Sequence, residues 1–205
     1  PRLILAKRLL SDDGVIFISI DNNFKTPKKY FGQELDWYKS MDLSIIGHPG
    51  IETNPTWNSC CTQDDKKEVN SNYGWCVFSE ENGSQYDNCY NVLTKDSTSR
   101  NGLIIYTRPN IHSDMFRDGA HDQICTVFSQ FFIRNGTLQM THVMRSSDIR
   151  FGLICSDLAW TCFVYQNMYK DLLKVYPDLK VGKIFWLSTS LHLYSRHYEN
   201  LKQIV

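Results

Sequence analysis

Seven cysteines, at 60, 61, 76, 89, 125, 155 and 162, are the most reactive side chains in this chain of 205 residues, and none forms a C-x-x-C pair. An odd number without that spacing predicts neither a disulfide framework nor a zinc site, and suits free thiols in a reducing cytoplasm. A thiol with a pKa of about 8.5 is mostly protonated at neutral pH, so a nucleophilic one needs a neighbouring cation. Cys125 heads an apolar run, and one hairpin further on stands Met144-Arg145-Ser146-Ser147-Asp148. A guanidinium beside hydroxyls also suits a phosphate, because its donors match two oxygens at once. Taken alone, Cys125 reads equally as a buried core cysteine, and Arg145 as a solvated strand end. Three further strings carry chemistry-bearing residues: Glu34-Leu35-Asp36-Trp37-Tyr38-Lys39-Ser40, Ser156-Asp157-Leu158-Ala159-Trp160, and Ser190-Leu191-His192-Leu193-Tyr194-Ser195-Arg196-His197-Tyr198. By themselves, Glu34 is a helix-surface carboxylate and Asp157 a helix N-cap.

The elements that must position these residues follow from hydrophobic period and turn chemistry. Residues 1–10 predict a short helix, 15–20 a β-rich run, 30–41 a helix, and 47–72 a loop rich in Gly, Pro, Asn and Asp. Tyr86, Cys89, Tyr90 and Leu93 recur at helical spacing and predict a helix over 84–94. A strand over 103–107 and a polar loop over 109–122 come next. Strands over 124–134 and 137–145 flank Asn135-Gly136, whose readiness for positive φ predicts a type I′ hairpin. A helix over 157–173 with Ser156 or Asp157 as N-cap, a strand over 183–187 and a closing helix over 196–204 complete the reading. Helices and strands without a βαβ rhythm predict an α+β fold with a mixed sheet. Formal net charge is zero, hydrophobic residues are 42% and charged residues 21%, which excludes disorder and a surface-wide polyanion binder. With no apolar run of membrane length and no secretory signal, the expectation is a cytoplasmic protein without membrane or direct nucleic-acid contact.

Together the thiol, the Arg-Ser-x-Asp string and the His-x-Tyr-x-x-His string resemble the thymidylate synthase superfamily over residues 24–205. Glu34 to Ser40, Asn70-Ser71-Asn72-Tyr73-Gly74-Trp75 and Tyr106-Thr107-Arg108-Pro109 are most similar to its phage deoxycytidylate hydroxymethylase branch. The resemblance implies that fold, a mixed sheet flanked by helices, in a homodimer. It also implies a reaction: Cys125 adds to C6 of a pyrimidine deoxynucleoside monophosphate, and C5 then takes a one-carbon unit from 5,10-methylenetetrahydrofolate as co-substrate. Arg145 and Ser146 would hold the phosphate, His192 and Tyr194 the deoxyribose hydroxyl, and Asp148 the pterin. Glu34 would order water and relay protons. The base-reading residue would be Asp157, because a carboxylate accepts from the cytosine amino group, whereas uracil offers an opposing acceptor. Counting forward from Gly152 instead places Ser156 there. Alternatives are a thymidylate synthase, a deoxyuridylate hydroxymethylase, or a truncated, inactive homologue that only binds nucleotide.

The chain departs from the family pattern in three places. Ser99-Arg100-Asn101 stands where the family has a pair of phosphate-binding arginines reaching across the dimer, which leaves Arg100 alone. Residues 1–23 instead resemble a fragment of an adenine-specific DNA methyltransferase, without the cofactor or catalytic motifs of that family. The sequence given ends shortly after the His-x-Tyr string, whereas family members continue with a segment that helps cover the folate.

Overall fold

The computed structural model describes residues 27–153 and 155–195. The elements expected over 1–10, 15–20 and 196–204, the methyltransferase-like segment 1–23, and His197 and Tyr198 lie outside the described residues.

Helix α1 (Pro27–Ser40) turns Glu34, Trp37 and Tyr38 to one buried face, the three- and four-residue spacing of a helical stripe. The loop expected over 47–72 contains a short helix, α2 (Pro55–Cys60), capped by Asn54 Oδ1 accepting from Thr56 N at 2.8 Å. Helix α3 (Tyr73–Phe78) was not expected from periodicity: six residues are too few to show a 3.6 repeat. Its cap is also its anchor. Asn72 Oδ1 accepts from Trp75 N at 2.9 Å, while Asn72 Nδ2 donates to Trp37 O at 3.0 Å and Asp42 O at 2.8 Å. Helix α4 (Gln85–Lys95) buries Tyr86, Cys89 and Leu93, as its spacing predicts.

One four-stranded sheet runs in the order β1 (Gly102–Ile105), β2 (Thr126–Arg134), β3 (Thr137–Met144), β5 (Lys180–Ser188). The first three strands are antiparallel and β5 runs parallel to β3, so the sheet is mixed. Asn135 (φ 52°) and Gly136 (φ 68°) make the expected hairpin. The segment over 109–122 is not wholly loop: it holds α5 (Ile111–Asp114) and a 3₁₀ turn, Arg117–Gly119. Beyond β3, β4 (Ser147–Asp148) pairs in parallel with β6 (Leu191–His192). A π-type turn, Ile149–Leu153, leads on towards α6 (Ser156–Leu173). Neither Ser156 nor Asp157 caps α6. The N-cap is Cys155, no side chain caps there, and Asp157 falls inside the first turn. Helix α6 buries Trp160, Val164, Met168 and Leu172 in one stripe, with Thr161 and Tyr165 beside it.

Helices α1 and α3 meet tightly at Gly74. A Cβ there would lie 1.5 Å from Tyr38 O, a main-chain atom of α1 that cannot rotate away. Gly74→Ala therefore has to separate α1 from α3. Overpacking of this kind costs about 3 kcal/mol. Urea unfolding should show a loss of that size, and an unchanged midpoint would contradict the close approach.

Candidate active site

Arg145 closes the end of the hairpin on the chain segment that precedes β2. Its N donates to Cys125 O at 2.9 Å, Nε to Ile124 O at 2.9 Å, and Nη2 to Gln123 O at 2.6 Å, with Nη2 also 3.5 Å from Cys125 Sγ. Nη1 carries no hydrogen bond among the described residues. The same segment is held from the other side by buried Asp122, which accepts from Asn70 N, Ser71 N and Ser71 Oγ, each at 2.7 Å. Cys125 is thus a half-buried thiol on a clamped backbone, just ahead of the register shift between Thr126 and Phe128. Burial pushes its pKa up to about 11; Arg145 pulls it down, while Asp157 and Asp122 push it further up.

The β4–β6 pair brings the two distant strings together. Ser147 N donates to Ser190 O at 2.9 Å, Thr189 Oγ1 donates to Arg145 O at 2.8 Å, and Asp148 lies opposite His192. Ser146 lies between Arg145 and this pair, and the His192 and Tyr194 rings meet edge to face with centroids 5.1 Å apart. Asp148 Oδ1 accepts from Arg150 N at 2.7 Å and Phe151 N at 2.8 Å, shaping the π-type turn, while Oδ2 is buried without a hydrogen-bond partner.

Nearby stand two carboxyl groups from different elements, Glu34 buried and Asp157 half-buried. Glu34 Oε1 accepts from Tyr38 OH at 3.2 Å, and Oε2 is buried without a hydrogen-bond partner among the described residues. Burial pushes Glu34 up to about 7, against the opposing pull of the Ser156, Tyr38 and Tyr30 hydroxyls. Asp157 is also pushed up to about 7, by burial first and then by the charges of Glu34 and Asp148. Its Oδ2 rests on Gly152 so closely that a Cβ there would come within 2.4 Å. Asp157 is therefore turned inward, and Ser156 faces Glu34 and Cys155 Sγ, the latter 3.9 Å away. A narrow cleft lined by Phe31, Glu34, Leu35, Tyr38, Ser156 and Trp160 opens at this point.

Cys125, Arg145, Asp157 and Glu34 thus form one site, with Asp148, His192 and Tyr194 joined to it through the β4–β6 pair. Arg100 is not brought there within this chain. Its side chain is exposed, its carbonyl accepts from Gln130 Nε2 at 2.8 Å, and it precedes the Gly102 end of β1, the end remote from Cys125. Two groups were missed by sequence reasoning. The pKa of the buried Tyr73 hydroxyl is raised well above the usual tyrosine range by burial and by the charges of Asp157 and Cys125, both of which lie near it. Asp122 is the second. The Asn70 to Trp75 string was the available signal for both, since it supplies Tyr73 and the amides that Asp122 accepts from.

The thymidylate synthase family model matches residues 25–205. The deoxycytidylate 5-hydroxymethyltransferase of Enterobacteria phage T6 is 38% identical over 197 residues, covering 95% of this chain and 76% of that protein. Those of phages T4 and T2 are each 37% identical over the same coverage. The thermostable thymidylate synthase A from Bacillus subtilis has a similar fold, with a TM-score of 0.59 at 18% identity. The match takes in 87% of this chain and 61% of the synthase, so the chain spans about three fifths of that structure's length.

The paired carboxyls make stability depend on pH in a definite direction. Both bind protons more tightly in the folded chain, from 4.5 and 3.8 up to about 7. The stabilisation from those protons is complete below about pH 4 and is lost as pH rises through 7. Urea unfolding at constant ionic strength should show a fall of about 3 kcal/mol between pH 5 and pH 8. Glu34→Gln should flatten that profile; stability rising with pH would contradict the arrangement.

Proposed function

The chain belongs to the thymidylate synthase family, and from that premise we propose that it transfers a one-carbon unit to C5 of deoxycytidylate, giving 5-hydroxymethyl-deoxycytidylate. The observation that carries this reading is the inward carboxyl of Asp157, packed against Gly152 beside Glu34 and coupled electrostatically to Cys125. Facing cytosine, a carboxyl group accepts from the C4 amino group, and one with raised proton affinity also shares a proton with N3. Facing uracil, it opposes O4 with an acceptor.

The remaining residues take roles that fit their geometry. Cys125 adds to C6, leaving C5 electron-rich. Arg145, with Nη1 uncommitted and no carboxylate partner among the described residues, binds the 5′-phosphate together with Ser146. His192 and Tyr194 receive the deoxyribose hydroxyl. Glu34, a carboxyl that holds its proton near neutrality, orders the water that becomes the new hydroxyl and relays its proton. The buried, unpartnered Oδ2 of Asp148 fits a donor on the pterin of 5,10-methylenetetrahydrofolate. Bound there, that co-substrate supplies the one-carbon unit.

We further propose a homodimer. The sheet leaves apolar side chains of β5 and β1 in water: Val181 (62% exposed), Leu187 (55%), Phe185 (42%) and Ile105 (42%). A second copy covers such a face, and the resemblance assigns Arg100 to the partner's phosphate. Among the described residues no helix is long and apolar enough to cross a membrane. A nucleotide-consuming enzyme of this kind would work in the cytoplasm of the bacterial host.

Turnover with each pyrimidine monophosphate, with and without methylenetetrahydrofolate, tests the reading. Deoxycytidylate should be consumed only with the folate, and Cys125→Ser should abolish this while circular dichroism stays unchanged. Near-normal turnover by Cys125→Ser would end the proposal. The preference for deoxycytidylate over deoxyuridylate should reach about 10⁴ in a site built around such a bond. Asp157→Asn should shift it towards uracil; an unmoved ratio would show that Asp157 does not read the base.

Removing the phosphate tests Arg145 and Ser146 separately. Charge-assisted bonds to an anion contribute about 1.5–3 kcal/mol each, so deoxycytidine should bind far more weakly than its monophosphate. Equal affinities by calorimetry would contradict the assignment.

A further inference from the structure

A histidine that the proposed reaction does not use lies buried between the sheet and α6. His142, on β3, is 0% exposed. Its Nδ1 is 2.8 Å from Ser129 Oγ on β2, and its Nε2 is 3.4 Å from Thr161 Oγ1 on α6. Thr161 Oγ1 in turn donates to Asp157 O at 2.6 Å. That bond uses the only hydroxyl proton of Thr161, so Nε2 must donate to Thr161 and Nδ1 must accept from Ser129. A directed chain therefore runs from β2 through β3 to the backbone of the residue assigned to the base.

The ring is fixed by its neighbours. Trp186 on β5 stacks obliquely with centroids 4.6 Å apart, and Tyr106 meets the ring edge-on at 6.2 Å. None of Ser129, Thr161, Trp186 and Tyr106 carries a charge, and burial pushes the histidine down to about 3, so it is neutral throughout the physiological range.

The first turn of α6 needs such a tie. Its N-cap, Cys155, has φ −128° and ψ −105° and no side-chain cap. The approach to the helix is an irregular π-type turn, and Asp157 Oδ2 is pressed against Gly152. An adjoining tie comes from Trp160 Nε1, which donates to Tyr106 OH at 3.1 Å. An apolar side chain at 142 would fill the volume but could not fix the rotation of the turn, whereas a satisfied polar network selects one arrangement. We propose that His142 is a positioning residue that, through Thr161, holds the first turn of α6 so that Asp157 faces the base; this rests on the base-reading role given above to Asp157.

Three variants separate polarity from packing: Thr161→Val keeps shape and removes the hydroxyl, His142→Phe keeps a ring and removes both bonds, and His142→Gln retains a donor and an acceptor. Two readouts are needed on the full chain. One is the titration midpoint of the Asp157 carboxyl by ¹³C NMR, assigned with Asp157→Asn, which requires no nucleotide. The groups facing that carboxyl, Glu34 and Tyr38 on α1, Tyr73 on α3, Tyr106 after β1, Cys125 before β2, Asp148 on β4 and Cys155 at the head of α6, are intact in all three variants. The other is the ratio of deoxycytidylate to deoxyuridylate affinity.

Thr161→Val and His142→Phe should move the midpoint by at least half a pH unit and cut the ratio at least tenfold, with His142→Gln near wild type in both. Unmoved midpoint and ratio in a folded Thr161→Val protein overturn the proposal, whether or not His142→Phe folds. A midpoint that moves while wild type itself shows no cytosine preference upholds the positioning and rejects Asp157 as the base reader.

Discussion

A guanidinium that forms no ion pair among the described residues holds this site together. Arg145 spends its side-chain donors on the carbonyls of Gln123 and Ile124 and on the Cys125 thiol, and its main chain on Cys125 O and Thr189 Oγ1. Carbonyl dipoles orient the cation without neutralising it, so its charge stays available to an incoming anion. The same bonds fix the segment from Gln123 to Cys125, which no ladder partner holds, and they join the ends of β2, β3 and β5. Loss of this side chain would therefore remove both the anion site and the backbone on which the thiol is displayed.

At the two carboxyl groups the balance is reversed. Glu34 is buried and Asp157 half-buried with no cation paired to either among the described residues, and two unpaired carboxylates in a low dielectric repel each other and lose hydration. Protons near neutrality are the outcome, and the pair titrates as a unit rather than as two independent acids. Only packing across elements creates this condition. Helix α1 contributes Glu34, α6 contributes Asp157, and Asp157 Oδ2 packs against Gly152, where a Cβ would collide with it.

How much of this was legible varied with the range of the interaction that decides it. The β2–β3 hairpin was readable because Asn135 and Gly136 set it locally, and α1, α4 and α6 because their apolar stripes are long enough to show a period. Helix α3 was not, since it rests on Asn72 reaching Trp37 O and Asp42 O, residues far back in the chain. The expected cap at Ser156 or Asp157 failed because Asp157 is drawn inward by tertiary packing. Motif order placed Cys125, Arg145, Asp157 and Glu34 within one site. It was silent on Tyr73, Asp122 and His142, whose partners lie on other elements. Counting forward from Gly152 left Ser156 open beside Asp157 in the sequence; in the structure, the stretch after the irregular π-type turn leaves Asp157 turned inward and Ser156 towards Glu34.

The proton on Cys125 has a further consequence for the proposed reaction. A pKa of about 11 leaves about one thiol in 10⁴ ionised at pH 7, a cost of about 5 kcal/mol. A phosphate bound at Arg145 would weaken the attraction that lowers this pKa, so ionisation ahead of addition becomes harder once substrate is bound. The alternative is to make C6 more electrophilic as the sulfur approaches. Asp157, half-protonated near neutrality, can share its proton with cytosine N3 and so draw electron density from C6, whereas N3 of uracil already carries hydrogen and offers no such acceptor. Under the proposed roles, the carboxyl that selects the base is thus also the group that makes the selected base reactive, and substrate choice and thiol addition rest on a single shared proton.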